Sequence, residues 1–519
     1  MTNTPDNQAF PKSLPGIPAS LRVTWNGRPL VVHQARVSAF PFNRVWAGFQ
    51  RPLSQTKPAA FVSFDMDAPG ELAIGGMAEA TCPGSFPVIL PLAAAPACQR
   101  DDDGSWRIAI DRPRQFVVAF GDGAFELHVF ANPPFVEAQS GGVSGLRSPV
   151  RRFGPGEHDV GVVIAKSGET IVIEEGAIVY GSILVANAHD VRIVGRGIID
   201  GSRLKRADHD SSVWQAAVDA GLPPGFYGAE MAVNGLTVFA SERVAIEGII
   251  FRDPPRWTVI VRGGSRDITI DNIKIVGCWR YNSDGINVCA SENVAISDCF
   301  IRSFDDCLIA RGDYLERDGP VTRGVIAERC TLWCDWGKCM EVWAGHRPCL
   351  IENVRFRDIA VLHPSGVVCD VTTWFASSDT RIRDIAFEDI EVDFALPLWR
   401  ERIQEGDESF PAEPRAIQPL LQADCSRYGR YLGNQHWEPT TDLSSFRVRY
   451  EDIAVRRIRC LGAPPRLLAL IDASTSPHTI ERVTLEDLPP DMELTCKGLA
   501  EEVHVERPHA KEDEKRRLP

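Results

Sequence analysis

The chain repeats one short pattern: a polar turn residue, then alternating apolar residues, then a second short apolar pair. Clear copies are HDVRIVGRGIID, ERVAIEGIIFRD, RDITIDNIKIVG, ENVAISDCFIRS and RGVIAERCTLWC, and weaker ones are LIENVRFRDI, TRIRDIAFEDI, FRVRYEDIAV and HTIERVTLEDL. The clear copies are anchored on Val191, Val244, Ile268, Val294 and Val325. The last three spacings are 24, 26 and 31 residues, whereas the first gap is 53 residues. We expect that first gap to hold two turns of the repeat with an insertion around residues 208–228.

The repeat predicts a parallel β-solenoid, in which each coil stacks on the previous one. Between the copies there is no amphipathic helical stretch long enough for a βαβ crossover, which disfavours a doubly wound sheet or a TIM barrel. Stacking also explains why nine of the 14 cysteines lie between Cys278 and Cys369, as small inward-facing residues. The spacing of Cys330, Cys334 and Cys339 does not match a zinc ribbon, so we predict no metal site.

The residues before about Arg147 follow another pattern. LRVTWNGRPLVVHQARVSAF, AAFVSFDMD, SWRIAID, RQFVVAFG and FELHVFAN are typical of short strands in an antiparallel sandwich. The predicted organisation is an N-terminal extension (1–17), a β-sandwich (18–145), a parallel β-helix (146–503) with a long insertion at about 399–445, and a charged tail (504–519). The fold class is therefore all-β.

Charge and hydropathy limit the partners. The net charge of −14 and the pI near 5.4 disfavour nucleic acid and an anionic membrane surface. No segment approaches the roughly 20 apolar residues of a membrane span, and the N-terminus lacks the features of a signal peptide. We therefore expect a soluble cytoplasmic protein with reduced cysteines. The sequence leaves a homo-oligomer open.

Three aspartates stand out between Tyr281 and Gly312, in the motifs N-S-D-G and F-D-D-C. Asp284 and Asp305 are 21 residues apart, which is close to one turn of the solenoid. Asp284 should therefore lie beside Asp305 and Asp306, in one solvent-facing patch. Like charges at contact raise at least one pKa, and the resulting pairing of an acid with a carboxylate is what glycoside hydrolysis needs. The alternative is that each aspartate separately caps a turn.

N-S-D-G-I-N followed by F-D-D-C resembles the motifs of glycoside hydrolase family 28, the polygalacturonases, which are right-handed parallel β-helices. RDPPRWTVIVRG resembles the turn and strand that this family places one coil earlier, and the sandwich is similar to that of the family 49 dextranases and isopullulanases. The resemblance covers about Phe153 to Phe394. It implies that Asp305 is the general acid, that Asp284 and Asp306 activate water, that the anomeric carbon is inverted, and that no cofactor takes part.

The chain departs from the family pattern at two places. WGKC puts Lys338 where the family has the histidine of G-H-G, and VCD puts Val368, Cys369 and Asp370 where it has R-I-K. In that family, the arginine and lysine of R-I-K hold the carboxylate of a galacturonate. An aspartate in their place would repel that carboxylate. We therefore expect a neutral glycan rather than polygalacturonate.

The predicted substrate-binding side chains are those expected near the same face. Aromatic rings pack on the apolar faces of sugars, and polar groups hold the hydroxyls, although core packing is an equal alternative for each tryptophan. Lys338 and Glu341 would point to opposite faces of a strand unless a corner lies between them. His158 and His346 are not assigned a role. The candidates are Trp257, Arg280, Tyr281, Trp336, Lys338, Glu341, Trp343 and Trp374, with Trp279 nearby.

The first hypothesis is an inverting glycoside hydrolase that trims imported glycan fragments inside the cell, which would favour exo action. A polygalacturonase-like hydrolase of pectin fragments is a second hypothesis. A lyase or transglycosylase on the same fold is a third, with Lys338 as the base. A non-catalytic glycan-binding protein is the fourth.

Overall fold

The computed structural model describes most of the chain. The described residues are 16–38, 53, 56–77, 86–121, 123–136, 149–205, 211–225, 227–312, 319–344, 348–373, 380–396, 419–425, 430–433, 436–438, 447–474, 479–498 and 500–506.

Two five-stranded sheets form the N-terminal sandwich. Their strands are β1 (Arg22–Trp25), β2 (Arg28–Pro29), β3 (His33–Ser38), β4 (Thr56–Asp65), β5 (Gly70–Gly75), β6 (Val88–Leu90), β7 (Cys98–Arg100), β8 (Trp106–Ile110), β9 (Arg114–Phe120) and β10 (Phe125–Asn132). The sheet orders are β2-β1-β5-β8-β7 and β3-β4-β10-β9-β6. All neighbours are antiparallel except β4 and β10, which are parallel. Trp106, Phe116 and Phe125 are buried among the apolar side chains shared by the two sheets.

The β-helix is one sheet of 28 strands, and a two-stranded hairpin (β34 and β35) lies outside it. Among the described residues, one α-helix, α1 (Ser212–Asp219), and a 3-10 helix, Ala229–Ala232, lie between β16 and β17, and a 3-10 helix at Leu92–Ala94 belongs to the sandwich. The strands are β11 (Val150–Phe153), β12 (Gly156–Ala165), β13 (Thr170–Ile173), β14 (Ala177–Ala186), β15 (His189–Gly195), β16 (Ile198–Asp200), β17 (Leu236–Phe239), β18 (Glu242–Glu247), β19 (Ile250–Arg252), β20 (Val259–Arg262), β21 (Arg266–Asp271), β22 (Lys274–Val276), β23 (Ile286–Cys289), β24 (Glu292–Ser297), β25 (Phe300–Ser303), β26 (Leu308–Arg311), β27 (Val321–Glu328), β28 (Thr331–Cys334), β29 (Met340–Ala344), β30 (Leu350–Leu362), β31 (Cys369–Thr373), β32 (Thr380–Phe394), β33 (Leu421–Asp424), β34 (Arg430–Gly433), β35 (His436–Glu438), β36 (Val448–Gly462), β37 (Leu468–Ala473), β38 (Thr479–Glu486), β39 (Glu493–Gly498) and β40 (Ala500–Glu506).

The repeat predicted from the sequence corresponds to the register in which successive coils of the β-helix stack on each other. Each of the five anchor residues, from Val191 to Val325, is the direct partner of the next on the adjacent coil. The predicted fold class, a parallel β-helix preceded by a sandwich, is confirmed. The expectation that the first gap holds two turns is wrong, because Val191 pairs directly with Val244. The 53 residues form one coil, with α1 in the insertion.

Each complete coil contributes a strand to three faces. The first face contains the anchor ladder through β15, β18, β21, β24 and β27. The second face contains β16, β19, β22, β25 and β28, and the third contains β17, β20, β23, β26, β29 and β31. The interior between the faces is filled by small and branched apolar side chains. All nine cysteines from Cys278 to Cys369 are buried free thiols, and all of them except Cys289 lie in this core.

The sandwich packs on the second face. Phe61 and Phe130 of the sandwich share an apolar cluster with Phe300 and Trp333 of the β-helix. This contact places the sandwich beside the turns that join the second face to the third.

The predicted insertion at 399–445 is interrupted by a strand of the coil. Within it, β33 pairs with β31 and β37 on the third face. The hairpin of β34 and β35 is also described, and the other residues of the predicted insertion lie outside the described ranges.

In the described part of the chain, no helix combines the length and the hydrophobicity needed to cross a membrane. The cytoplasmic location stays a prediction.

The strand register predicts that Ile268 contributes more to the free energy of unfolding than its neighbour Thr269. Ile268 is 0% exposed in the core, whereas the next residue, Thr269, faces solvent. Ile268→Ala should lower the free energy of unfolding by about 2–5 kcal/mol, because it removes buried methyl groups and leaves a cavity. Thr269→Ala should change it by less than about 0.5 kcal/mol. Urea unfolding followed by tryptophan fluorescence measures both, and equal effects would contradict the assigned register.

Candidate active site

The three aspartates lie in turns that lead from the second face to the third. Asp284 immediately precedes Gly285 and β23, and Asp305 with Asp306 precedes β26. The Gly285 N–H donates to the Asp306 carbonyl over 2.8 Å, so Asp284 and Asp306 are neighbours on adjacent coils. The expectation of a solvent-facing patch is wrong: Asp284, Asp305 and Asp306 are only 1%, 7% and 5% exposed.

The glycine of N-S-D-G lets these coils approach each other. A Cβ on Gly285 would lie 2.3 Å from the Cys307 carbonyl oxygen and 2.5 Å from an Ile301 methyl group. On the other side, the Thr258 N–H donates to the Asp284 carbonyl over 2.9 Å. The Asp284 backbone is therefore fixed between two coils, which directs its carboxyl group outward from the core.

One arginine joins the carboxyl groups. Nη2 of Arg311 lies 3.5 Å from Oδ2 of Asp284 and 3.3 Å from Oδ2 of Asp306. The same nitrogen lies 3.4 Å from Oε2 of Glu341 on the following coil. Three carboxyl groups therefore share one guanidinium, which brings them close together without neutralising all of them.

The Arg311 guanidinium is itself enclosed by aromatic rings. Its central carbon lies 4.6 Å from the ring centroid of Trp257 and 5.2 Å from that of Trp343. Arg311 was not predicted from the sequence. Arg311 could have been found from the sequence, because it ends the strand that follows F-D-D-C. It lies two residues after Ile309, so the two side chains are on the same, outward side of that strand.

Lys338 is the second cation of the site. It lies in the turn before β29, and this corner allows its Nζ to reach Oε1 of Glu341 at 2.5 Å. Asp370 is the partner of Glu341 on the next coil, and its Oδ2 lies 3.8 Å from Nζ of Lys338. The Lys338 backbone N–H also donates to Oδ1 of Asp306 over 2.8 Å.

The surroundings shift the pKa values of the neighbouring carboxyl groups in opposite directions. Burial raises the pKa of Asp284 and of Asp305 well above the ordinary value, and the nearby carboxylates raise both further. Burial also acts to raise the pKa of Asp306, but the charges of Lys338 and Arg311 outweigh it and the net shift is downward. Asp305 is thus favoured as an acid beside an ionised Asp306.

Lys338 stays charged in this environment. Burial acts to lower its pKa, but Asp306, Glu341 and Asp370 together raise it above the ordinary value. Burial raises the pKa of Glu341 and raises that of Asp370 strongly. Lys338 is therefore a fixed ammonium group and not a base at neutral pH.

Two asparagines orient the aspartates. Nδ2 of Asn287 donates to Oδ2 of Asp284 over 3.2 Å, and Nδ2 of Asn282 donates to Oδ2 of Asp305 over 3.2 Å. Neither residue was predicted from the sequence, although both belong to the N-S-D-G-I-N motif. They limit the rotation of the two carboxyl groups.

The aromatic candidates differ in exposure. Trp257 is buried beside Met231 and Ile260. Tyr281 and Trp343 are also buried. Trp336 is half-buried and stacks on Phe304 with centroids 5.5 Å apart, and its ring lies 6.0 Å from that of Tyr281. Among the described candidates, Trp336 is thus the aromatic residue with a surface available to a sugar.

Three other candidates lie apart from the carboxyl cluster or outside the described residues. Arg280 is buried, its Nε lies 3.2 Å from the Asp253 carboxylate, and its other nitrogens donate to the Ser202 and Leu204 carbonyls. Trp279 Nε1 donates to the same carboxylate over 2.8 Å. Trp374 lies outside the described residues. The partners described for Arg280 are therefore groups of the protein itself. Its contact with substrate stays a prediction.

Two histidines, His158 and His346, were not assigned a role from the sequence. His158 lies far along the chain from the aspartate turns, and its Nε2 is 2.7 Å from the Gly154 carbonyl oxygen. His346 falls outside the described residues.

For a metal ion, we find no suitable group of three or more His, Cys, Asp or Glu among the residues that the structure describes. Cys330, Cys334 and Cys339 lie in the apolar core, as predicted.

A model of the Glycosyl hydrolases family 28 matches residues 171–392, a range that contains the whole carboxyl cluster. "Putative galacturan 1,4-alpha-galacturonidase A" from Aspergillus niger is 24% identical over 33% of this chain, which spans 39% of that relative. Dex49A from Penicillium minioluteum has a TM-score of 0.61 at 15% identity, covering 94% of this chain and 93% of that chain, and therefore supports the fold alone. The Yersinia enterocolitica Family 28 Exopolygalacturonase has a TM-score of 0.40 at 13% identity, covering 85% and 96%. The family resemblance predicted from the aspartate motifs is confirmed.

Gly337 gives a direct test of the packing around the aspartates. A Cβ at this position would lie 2.5 Å from Oδ1 of Asp306 and 2.6 Å from Oδ1 of Asp305. Gly337→Ala should therefore displace both carboxyl groups and lower the free energy of unfolding by about 1–3 kcal/mol. Gly154→Ala is the matched control, because its Cβ would meet its nearest neighbour at 3.6 Å. Thermal unfolding measures both variants, and an unchanged midpoint for Gly337→Ala would contradict the described contact.

Proposed function

Because the aspartate turns lie in a region that matches family 28, we propose that the protein is an inverting glycoside hydrolase. The observation that carries the proposal is the pair of adjacent buried carboxyl groups, Asp305 and Asp306, whose pKa values are shifted in opposite directions. Hydrolysis of a glycosidic bond needs a proton donor beside an ionised carboxylate.

In the proposed reaction, Asp305 donates its proton to the leaving glycosidic oxygen. Asp306, kept ionised by Lys338 and Arg311, accepts a proton from the water that attacks the anomeric carbon. Asp284 lies beside Asp306 on the neighbouring coil and shares the Arg311 contact, so it helps to hold that water. The bond to the leaving oxygen breaks as the bond to water forms on the opposite side, and the configuration inverts.

The charges of the site support a glycan without uronate carboxylates. Lys338 and Arg311 both already contact carboxyl groups of the protein. Both side-chain oxygens of Asp370, as well as Oδ1 of Asp284, accept no hydrogen bond from the described residues. Because both cations are already shared among carboxyl groups of the protein, little positive charge is left to hold a uronate carboxylate of the substrate.

The competing hypotheses have weaker support. A lyase would use Lys338 as the base, but the raised pKa of that ammonium group opposes this role. Hydrolysis of pectin fragments remains the second candidate, because the name of the Aspergillus niger relative specifies a galacturonidase. A non-catalytic glycan-binding protein would not need two adjacent carboxyl groups whose pKa values are shifted in opposite directions. Exo action and a cytoplasmic location are part of the proposal.

The proposal predicts that Asp305→Asn lowers kcat by about a hundredfold to ten-thousandfold, which is the contribution of a general acid. Affinity for the glycan and the unfolding midpoint should persist. A panel of neutral and uronate oligosaccharides supplies the substrate, and NMR of the first product gives its anomeric configuration.

Asp298→Asn is the matched control, because Asp298 lies in the same stretch but is paired with Arg329 at the surface. Unchanged turnover in Asp305→Asn would exclude its role as the acid. Retention of configuration would exclude the inverting mechanism, and an unsaturated product absorbing in the ultraviolet would identify a lyase.

The charge of Lys338 predicts a shift in the pH profile of kcat/KM. Its ammonium lowers the pKa of Asp306 and of Asp305, so Lys338→Met should raise both. Asp306 must be ionised and Asp305 protonated, and the acidic and alkaline limbs should therefore both move to higher pH, by about one unit. Lys338→Arg keeps the charge and should leave the limbs near their original positions. A downward shift in Lys338→Met would contradict the assignment.

A further inference from the structure

A buried arginine connects the sandwich to the aspartate turns. Arg302 lies on β25, three residues before Asp305, and is 1% exposed. Its Nη1 lies 2.8 Å from Oε2 of Glu126, a sandwich residue that is also 1% exposed. Its guanidinium carbon lies 3.9 Å from the ring centroid of Trp333. Both charges are therefore held in a fixed arrangement away from water.

The sandwich holds this arginine with two further groups. Lys57 forms an ion pair with the other oxygen of Glu126. His128 lies between the Ala60 carbonyl oxygen, 3.1 Å from its Nδ1, and Nη1 of Arg302, 3.2 Å from its Nε2. Burial and then the Arg302 charge lower the pKa of His128 to about 3, so the ring is neutral. Its Nδ1–H thus donates to Ala60, and its Nε2 accepts from Arg302.

On the opposite side, Arg302 contacts the turn that holds Asp306. Its Nη2 lies 3.7 Å from Oδ1 of Asp335, the first residue of the segment Asp335–Lys338. The Asp335 N–H donates to the Ser303 carbonyl over 3.0 Å, and the Lys338 N–H donates to Oδ1 of Asp306 over 2.8 Å. The turn has little freedom, because Gly337 lies directly against the carboxyl groups of the aspartate pair.

These contacts form a continuous path from the sandwich to the candidate acid and base. Arg302 belongs to the strand that leads into Asp305, and its side chain contacts the segment that hydrogen-bonds Asp306. A shift of its guanidinium would therefore act on both carboxyl groups. We infer that Glu126 is a positioning residue, which acts through Arg302 and Asp335 to set the geometry of the aspartate pair. This role rests on the proposed hydrolase function, and it makes the sandwich part of the catalytic unit.

The inference is tested with Glu126→Gln, which keeps the shape of the side chain and removes its charge. Hydrogen exchange measured by mass spectrometry on the peptide covering Asp335–Cys339 should become faster by about tenfold, because the turn loses its anchor. On a substrate found in the glycan panel, kcat should fall by about tenfold or more, with KM changed by less than about twofold. The alkaline limb of the pH profile should also move, since the environment of Asp305 changes.

Leu90→Ala is the matched control. Leu90 is buried in the same interface between the sandwich and the second face, but belongs to its apolar cluster and not to the charged path. Its substitution should weaken the interface and leave the exchange of the turn, kcat and the pH profile unchanged. If Glu126→Gln does not fold, Asp335→Asn interrupts the path from the β-helix side and should change kcat and the pH profile in the same way.

The outcomes separate the inference from the proposed function. Faster exchange of the turn in Glu126→Gln alone, with no glycan turned over by the wild type, would support the positioning path and contradict the hydrolase proposal. Equal changes in Glu126→Gln and Leu90→Ala would overturn the inference, since Glu126 would then only stabilise the interface. Unchanged exchange and kinetics in Glu126→Gln would overturn it as well.

Discussion

The structure depends on the in-register stacking of parallel strands. Residues at one position of the repeat lie directly beside their counterparts on the next coil. Equivalent positions on successive coils are therefore about 4.8 Å apart. Inside the helix this favours ladders of isoleucine, valine and cysteine, which pack well on themselves. Outside the helix, the same register gathers polar side chains from distant parts of the sequence into one row.

That row explains why charged groups are concentrated on the third face. Asn287, Ile309, Glu341 and Asp370 are successive partners across four coils. Two carboxylates on adjacent coils would repel each other, so cations must lie between or beside them. Arg311 and Lys338 supply these charges, but each is shared among several carboxyl groups. Because the cations are shared unevenly, the pKa values of Asp284 and Asp305 are raised while that of Asp306 is lowered.

The sequence was sufficient to predict the fold and the meeting of the three aspartates, because both follow from a period that can be read directly. It was not sufficient for the burial of the aspartates, which depends on the side chains that fill the turns. Arg311, by contrast, could have been found from its place at the end of the strand that follows F-D-D-C. The 53-residue gap shows a similar limit: an insertion that contains a helix has no fixed length, so its coil cannot be counted by subtraction. The contact of Glu126 with Arg302 joins residues 176 positions apart, across two separate folding patterns, and no local motif indicates it.

The two departures from the family pattern are physically connected. Lys338 and Asp370 come from different coils, yet their charged atoms lie 3.8 Å apart, with Glu341 contacting the same ammonium. Lys338 without Asp370 would add an unbalanced positive charge beside the aspartates. Asp370 without Lys338 would add another buried negative charge with no partner. Together they largely balance each other while Lys338 still lowers the pKa of Asp306. A site changed in this way can keep its acid and base and still lose its affinity for a uronate carboxylate. In the proposed hydrolase, Lys338 therefore links the two properties, since it contacts Asp370 and also lowers the pKa of the proposed base.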